Sequence, residues 1–282
     1  MNIEELLQAS FINIDKPSDP TSFDTVEIVK KILKASKTSH SGTLDPKVTG
    51  VLVVGIGKAA RLLRFLPSDK EYVGVMWLHG EIDNEKLKEA IKKFVGKIKQ
   101  IPPKRSAVKR QEREREIYSF EILEKDGKKV LFKVHCEAGT YIRKLISDLG
   151  EKIGIGAHML ELRRTKAGKF DEKDSITLYQ LQEAYDEYKK GNDEKLKKYL
   201  QPIELITNYI QCLEVKEDSV KQLMNGSPLH KEYLDEKELK KIEKMKKDSF
   251  IALTCNKKLI EVARVVLEGN NLAVPETVIR QE

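Results

Sequence analysis

The segment GVLVVGIG, residues 50–57, is continuously apolar. A run of this length that is bounded by turn-forming residues is typical of a strand buried in a core. The chain has 282 residues, of which 40% are hydrophobic. That is enough material for one large domain around such a strand and a small second domain.

Both strand and helix patterns occur on either side of this segment. The Asp126-Gly127 pair between two of the predicted strands is a strong hairpin signal. The mixture predicts an α+β fold. The strands are predicted at 11–15, 72–79, 117–124, 129–136 and 158–165, and the helices begin near Ser22, Asn84 and Thr140, with shorter helices within 176–200.

The pattern changes near Gln201-Pro202, where longer helical periodicity gives way to short strands. Residues 210–215, 249–255 and 258–274 are predicted as strands around a lysine-rich helix at 235–247. We therefore predict two domains, a large one over residues 1–207 and a small, mostly β domain over residues 208–282.

Positive charge is concentrated between Lys97 and Arg115. This stretch contains eight basic residues opposed only by Glu112 and Glu114, whereas the formal charge of the whole chain is +7. A concentrated basic segment can follow a phosphate backbone and release its counterions. An ordinary solvated loop is the alternative interpretation.

Several classes of function lack any signal in the sequence. Three separate cysteines without a CxxC pair argue against disulfides and zinc. No Walker loop, GxGxxG, HExxH or GxSxG motif occurs, so we expect no cofactor and no metal. The acidic N-terminus is unlike a signal peptide, and no apolar run reaches about 18 residues, so we expect a soluble, cytoplasmic protein.

The loop SHSGTLDPKVTG, residues 39–50, contains the most prominent candidate for chemistry, Asp45. Gly42 and Gly50 on either side allow the backbone to approach a ligand closely. An aspartate at the mouth of a buried strand is expected to be partly desolvated. The alternative is that Asp45-Pro46 simply forms a turn, which is a common use of this pair.

Arg143 is the candidate partner of Asp45. It lies in the first turn of the helix predicted to begin at Thr140. A carboxylate that must stay ionised when desolvated needs a cation beside it. An ordinary arginine on a helix surface is the alternative.

Three further features have a functional and a structural interpretation. Tyr72 at the start of a strand can stack on a flat base, or can pack in the core. His40 in the loop can stack, act as a base, or do neither. The Arg163-Arg164 pair is suited to phosphates. From the residues alone, the chain is an α+β protein that binds RNA or DNA and has one unusual aspartate loop.

Five blocks, in the same order, resemble the TruB/dyskerin family of pseudouridine synthases. They span roughly residues 11–205, and their number makes a chance match very improbable. The blocks are INIDKP (12–17), SHSGTLDPKVTGVLVVGIGKAARL (39–62), KEYVG (70–74), EAGTYIRKLISDLG (137–150) and GAHMLELRRTKAGKF (156–170).

The resemblance implies a mixed, mostly antiparallel sheet with flanking helices, and isomerisation of uridine to pseudouridine in structured RNA without a cofactor. Asp45 would assist cleavage of the N1–C1′ bond, either by attacking the sugar or by removing a sugar proton. Arg143 would keep Asp45 ionised, and Tyr72 would stack on the base and help to remove its proton. The predicted substrate contacts include His40, Lys16 of the lysine-proline motif, Leu162, Arg163 and Arg164.

The segments PKVTG and PPKRSAVKR (102–110) resemble the archaeal and eukaryotic branch of the family more than its bacterial branch. By resemblance, the second segment is a thumb loop that closes on RNA through Arg105, Lys109 and Arg110. The C-terminal part resembles a PUA RNA-binding domain, with NGSPLH (225–230) near its glycine-proline motif.

This branch acts as the catalytic subunit of box H/ACA guide ribonucleoproteins. The implied partners are guide RNA, substrate rRNA or tRNA, and Nop10-like, Gar1-like and kink-turn binding proteins. Two alternatives remain: a guide-independent enzyme for the TΨC arm of tRNA, and a catalytically silent RNA-binding scaffold.

Overall fold

The computed structural model describes residues 2–102 and 109–279. Its helices are α1 (Ile3–Gln8), α2 (Ser22–Leu33), α3 (Asn84–Lys92), α4 (Ile142–Lys152), α5 (Leu178–Lys189), α6 (Glu194–Tyr199), α7 (Val220–Met224) and α8 (Glu236–Ile242). Its strands are β1 (Ala9–Lys16), β2 (Thr38–His40), β3 (Thr49–Gly57), β4 (Lys70–Leu78), β5 (Gly96–Gln100), β6 (Arg113–Asp126), β7 (Lys129–Cys136), β8 (Ala157–Ala167), β9 (Phe170–Asp171), β10 (Gln201–Pro202), β11 (Gln211–Glu214), β12 (Leu229–His230), β13 (Phe250–Cys255), β14 (Lys258–Glu268) and β15 (Asn271–Val278).

The larger sheet has the strand order β10-β1-β3-β8-β4-β7-β6-β5, with β2 beside β3 and β9 beside β8. Strands β3 and β8 pair in parallel, and the other pairs along this order are antiparallel. The predicted α+β fold, with a mixed and mostly antiparallel sheet flanked by helices, is confirmed.

Strand β3 lies between β1 and β8 and is covered on both faces. Leu52, Val54 and Ile56 pack in a core with helices α1, α2, α5 and α6. Val51 and Val53 face the opposite core, which is shared with the second sheet. Because successive side chains of a strand point to opposite faces, burial of both faces requires apolar residues at every position. This explains the uninterrupted apolar run.

Strand β4, in contrast, has only one face in a core. Tyr72, Met76 and Leu78 are buried in the cluster that β4 shares with α3 and α4, whereas Val73 and Val75 are half-buried. The period of two therefore determines that Tyr72 points towards α4, which is the helix that carries Arg143.

The second sheet has the order β11-β13-β14-β15-β12, with β11 and β13 parallel. It packs against the larger sheet through the shared apolar core. Arg64 also crosses between the sheets, since its guanidinium donates to the carbonyl oxygen of Glu276 at 3.1 Å and to Thr277 Oγ1 at 3.2 Å. In the part of the chain that the structure describes, no helix is both long and apolar enough to cross a bilayer.

Helix α3 begins at Asn84, as predicted. Asp83 caps it, because its carboxylate accepts hydrogen bonds from the backbone N–H groups of Glu85 and Lys86. Helix α4 begins after Tyr141 rather than at Thr140. The Thr140 hydroxyl donates to the Glu137 carbonyl, and Thr140 lies one residue before the capping position.

The described C-terminal part contains five strands where three were predicted, because β12 was not predicted and one predicted strand is divided into two. Residues 258–274 were predicted as one strand but form most of the hairpin β14–β15. Leu267 and Gly269 have positive φ values of 52° and 60°, which is the backbone conformation of a turn. The β6–β7 hairpin at Asp126-Gly127 is confirmed, and β6 begins earlier than predicted, within the basic segment.

Glu261 on β14 is an ionisable group inside the core of the second sheet. Its exposed fraction is 0%, and neither carboxylate oxygen has a hydrogen-bond partner within the described residues. It lies opposite Leu253, whose side chain belongs to that core. Burial raises the pKa of Glu261 to about 8, so the group is largely protonated at neutral pH.

We expect Glu261→Gln to remove a pH-dependent loss of stability. Between the ordinary value of 4.5 and the folded value of about 8, the folded state binds more protons, so the free energy of unfolding falls as pH rises. Urea unfolding should show the variant gaining roughly 2–4 kcal/mol relative to wild type between pH 5 and pH 8. Glu243→Gln, at an exposed position, is the control. A constant difference across this range would contradict the prediction.

Candidate active site

Asp45 lies at the apex of the loop between β2 and β3, and its carboxylate forms an ion pair with the Arg143 guanidinium. The structure therefore brings together the two residues that the sequence singled out. The side chains are 54% and 58% exposed, respectively. In the chain alone, Asp45 therefore keeps more than half of its side-chain exposure.

Apolar side chains anchor the loop on both sides of Asp45. Leu44 and Val48 are buried in the same core as Tyr72. The Ser22 hydroxyl at the start of α2 accepts from the Leu44 N–H at 2.7 Å and lies 3.0 Å from the Leu44 carbonyl. The neighbours of Asp45 are thus fixed while its own side chain points outwards.

Lys16 holds the loop from below. Its ammonium donates to the carbonyl oxygens of Pro17, Pro46 and Val48 at 2.8, 2.8 and 2.9 Å, respectively. These bonds use all three of its hydrogens. Lys16 is fully buried, and burial lowers its pKa. The ammonium is thus occupied by the loop, and contact between Lys16 and RNA stays a prediction.

Arg164 is the second buried cation under the loop. Its Nε donates to the Val51 carbonyl at 2.7 Å and its Nη2 to the Gly42 carbonyl at 3.0 Å. The residue is only 1% exposed. Arg164 therefore links β8 to the start of β3 and to the loop.

Arg163 points to the opposite face of β8, as its neighbour in a strand must. There it forms ion pairs with Asp15 at 2.9 Å and Glu172 at 2.7 Å. These partners raise the pKa of Arg163, the hydrogen bond to Asp15 contributing most. Both adjacent arginines therefore have intramolecular partners, and binding of phosphate by this pair stays a prediction.

Tyr72 forms part of the floor beneath the loop. It pairs with Arg164 across β4 and β8 and is 8% exposed. Burial raises the pKa of Tyr72, against the opposing effect of Arg164, so the phenol stays protonated at neutral pH. Leu162, two pairs further along and opposite Gly74, is half-buried against the same core. Together, Tyr72 and Leu162 form an apolar surface beneath the loop.

His40 ends β2 at the edge of the site. Its Nδ1 is buried without a hydrogen-bond partner among the described residues. Burial, and then the nearby Arg164, lower the pKa of His40, so the ring is neutral at pH 7. It lines a cavity of about 660 Å³ between the two sheets, together with Arg61, Arg64 and Glu276.

Some basic residues of the segment between Lys97 and Arg115 form ion pairs with carboxylates, and others do not. Within the β5–β6 hairpin, Lys97 pairs with Glu114 at 2.8 Å and Lys99 pairs with Glu112 at 3.1 Å. Lys109 and Arg110 are exposed and have no ion pair with any described residue. Arg105, the third predicted contact, lies outside the described residues.

Lys70 was missed by the sequence analysis. It is 5% exposed, and a Cβ added to Gly42 would lie 3.4 Å from its Cε, so it lies beneath the loop. Burial, and then Arg164, lower the pKa of Lys70 to about 8. The only sequence signal was its place in the KEYVG block, since a lysine at a strand start is normally solvated.

Among the residues described, no group of three or more His, Cys, Asp and Glu side chains could hold a metal.

We expect Lys16 and Arg143, two of the cations that contact the loop, to differ in their effect on stability. Lys16→Met should lower the free energy of unfolding by roughly 2–4 kcal/mol, because three carbonyls lose their buried partner. Arg143→Met should change it by less than about 1 kcal/mol, because its ion pair is more than half exposed. Urea unfolding measures both, and equal losses would refute this division between a structural and a functional cation.

Family models match most of the large domain. Residues 30–142 match the TruB family pseudouridylate synthase N-terminal domain, and residues 143–207 match the tRNA pseudouridylate synthase B C-terminal domain. The chain is 42% identical over 274 residues to the probable tRNA pseudouridine synthase B of Archaeoglobus fulgidus, covering 96% of this chain and 83% of the relative. It is 47% identical over 229 residues to the protein of the same name from Methanopyrus kandleri, covering 80% and 68%, respectively.

Solved structures match over the full length, including the second sheet. The crystal structure of a Cbf5-Nop10-Gar1 complex superposes with a TM-score of 0.87 at 38% identity, covering 99% of this chain and 87% of that chain. An H/ACA RNP bound to a substrate RNA containing 2′-deoxyuridine gives 0.85 at 36% identity, covering 100% and 88%. The chain therefore belongs to the TruB family of pseudouridine synthases, which isomerise uridine in RNA to pseudouridine.

Proposed function

We propose that Asp45 is the catalytic carboxylate with which this enzyme isomerises specific uridines, as the catalytic subunit of a box H/ACA guide ribonucleoprotein. The observation that carries the catalytic assignment is the Asp45–Arg143 ion pair at the exposed apex of an anchored loop. An ionised carboxylate that is fixed in position and open to a large ligand is what attack on a nucleotide requires.

The reaction begins when the uridine leaves its stack, at a cost of a few kcal/mol. Asp45 then assists cleavage of the N1–C1′ bond, by attacking the sugar or by removing a sugar proton. The freed base rotates and C5 bonds to C1′, while the Asp45–C1′ bond breaks or the sugar proton returns, according to the first step. The C5 proton then leaves, and N1 gains a proton. Arg143 orients Asp45 and keeps it ionised once the RNA displaces water from the pair.

The remaining residues shape the pocket. Tyr72 and Leu162 supply the apolar surface beneath the base. Because burial raises the pKa of Tyr72, the phenol is a poor base, and we assign it packing rather than removal of the C5 proton. His40 is neutral and supports the flipped or the neighbouring nucleotide at the edge of the loop.

The proposal that this enzyme needs a guide RNA is supported by its structural relatives. Two of them are complexes whose titles name Cbf5 with Nop10 and Gar1, or an H/ACA RNP with substrate RNA. Both match the second sheet as well as the first. We therefore infer Nop10-like, Gar1-like and kink-turn binding partners, a catalytic domain over residues 1–207, and a PUA-like domain over 208–282 that binds RNA. Cytoplasmic action on rRNA or tRNA belongs to the same proposal.

One observation favours a second candidate function. The sequence relatives carry the name tRNA pseudouridine synthase B, which supports guide-independent action on the TΨC arm of tRNA.

Release of tritium from C5-labelled uridine separates the two candidates. Turnover of rRNA or tRNA targets only with guide RNA and partners supports the guide-dependent form, whereas turnover of free tRNA by the chain alone supports the second. The Asp45–Arg143 pair argues against a catalytically silent scaffold.

We expect Asp45→Asn to abolish tritium release while RNA affinity stays within about twofold of wild type. The amide has nearly the same shape and lacks the charge that the reaction needs. Asp19→Asn is the matched control: Asp19 lies in a neighbouring loop with a positive φ of 86°, which asparagine also tolerates. If Asp45→Asn keeps more than a few per cent of activity, the catalytic assignment fails.

We expect loss of Lys109 and Arg110, which are exposed and have no ion pair with a described residue, to weaken RNA binding. Replacement of Lys109 and Arg110 by glutamine should make the slope of log K against log salt shallower by about 0.7 to 0.9 per lost phosphate contact. The effect should be similar for different target sequences, because phosphate contacts carry no base information.

The matched control replaces Lys97 and Lys99 by glutamine, since carboxylates already occupy both ammonium groups. Its salt slope should stay close to that of wild type. An unchanged slope in the Lys109/Arg110 variant would show that this part of the segment is ordinary solvated surface.

A further inference from the structure

Gln100 makes a two-way contact with the backbone at the start of α4. It is the last residue of β5 and is 2% exposed. Its Oε1 accepts from the Tyr141 N–H at 3.0 Å, and its Nε2 donates to the Tyr141 carbonyl at 3.2 Å. One side-chain amide therefore engages both polar groups of a single peptide residue that lies 41 positions further along the chain.

Tyr141 is the residue that caps α4, and its side chain makes no capping hydrogen bond to the helix. Its carbonyl also accepts the first hydrogen bond of the helix, from Leu145 N–H at 2.9 Å. The orientation of this peptide therefore sets the direction in which α4 begins. Arg143 follows two residues later, in the first turn.

A second tie holds the other end of the same segment. The Glu137 N–H donates to the Glu116 carbonyl at 2.8 Å, and the Glu116 N–H donates to Glu137 Oε2 at 3.1 Å. Arg115 adds an ion pair with Glu137 at 3.4 Å. Residues 137–141 are thus fixed at both ends by the base of the β5–β6 hairpin.

We propose that Gln100 is a positioning residue for the reaction, because it fixes the backbone from which Arg143 reaches Asp45. This inference rests on the proposed roles of Asp45 and Arg143. The Arg143 side chain is 58% exposed, and Asp45 is its ion-pair partner among the described residues. With so little side-chain packing, the position of the guanidinium depends on its backbone, and a displacement of about 1 Å can cost about 100-fold in rate.

The test compares Gln100→Leu with wild type in the full-length chain, under the assay condition that gives turnover. Leucine nearly fills the volume but removes both hydrogen bonds. The single-turnover rate of tritium release should fall about 10- to 100-fold. The RNA dissociation constant should stay within about twofold, since Gln100 is buried. Gln182→Leu, the same substitution on the exposed surface of α5, should leave both unchanged.

Combination with Arg143→Lys tests whether Gln100 acts through the arginine. If it does, Gln100→Leu should have little further effect, within about threefold, in the Arg143→Lys background, because interacting residues are not additive. A full 10-fold or greater loss in that background would overturn the proposal, as would a folded Gln100→Leu variant with the wild-type rate.

Gln100→Glu keeps the proposal testable if leucine prevents folding. A neutral carboxylic acid donates and accepts as the amide does, whereas the ionised form repels the Tyr141 carbonyl. The rate relative to wild type should therefore be highest at low pH and fall as the glutamate ionises, without a matching change in RNA affinity. A constant ratio across pH would count against Gln100. Failure of Asp45→Asn to abolish turnover would instead refute the proposed function, whatever Gln100 does.

Discussion

The loop that carries Asp45 depends on two buried cations, Lys16 and Arg164. Burying a charge without partners is strongly unfavourable, and here backbone carbonyls satisfy both groups: three accept from Lys16, and those of Gly42 and Val51 accept from Arg164. If the loop moved away, it would leave these cations buried without acceptors. The free-energy cost of that movement holds the backbone on both sides of Asp45 in place.

The strand order explains how distant parts of the chain meet at this loop. Parallel pairing of β3 with β8 brings Arg164 beside Gly50, where a Cβ would lie 2.2 Å from the Arg164 carbonyl oxygen. Only glycine fits this approach, and its φ of 101° is also suited to glycine. Strand β4 pairs with the other edge of β8, which places Tyr72 opposite Arg164. The order β3-β8-β4 thus assembles the site.

The sequence predicted features that have a local pattern. The apolar run of β3, the hairpin at Gly127 and the outward-facing pair Asp45 and Arg143 all leave such a pattern, the last through the family blocks. The roles of Lys16 and Arg164 could not be predicted, because their partners are backbone carbonyls, and these have no sequence signature. A basic residue in a sequence shows its charge but not whether another part of the chain already neutralises it.

The same distinction bears on how the site works. The buried cations shape the loop, whereas Arg143 and Asp45 remain more than half exposed, so water screens their attraction in the free enzyme. A flipped nucleotide placed over Tyr72 would displace that water and lower the local dielectric, which strengthens the pair at the moment the charge on Asp45 is needed. The rigid loop makes this possible, because RNA binding has to change only the solvent around Asp45 and not the position of its backbone.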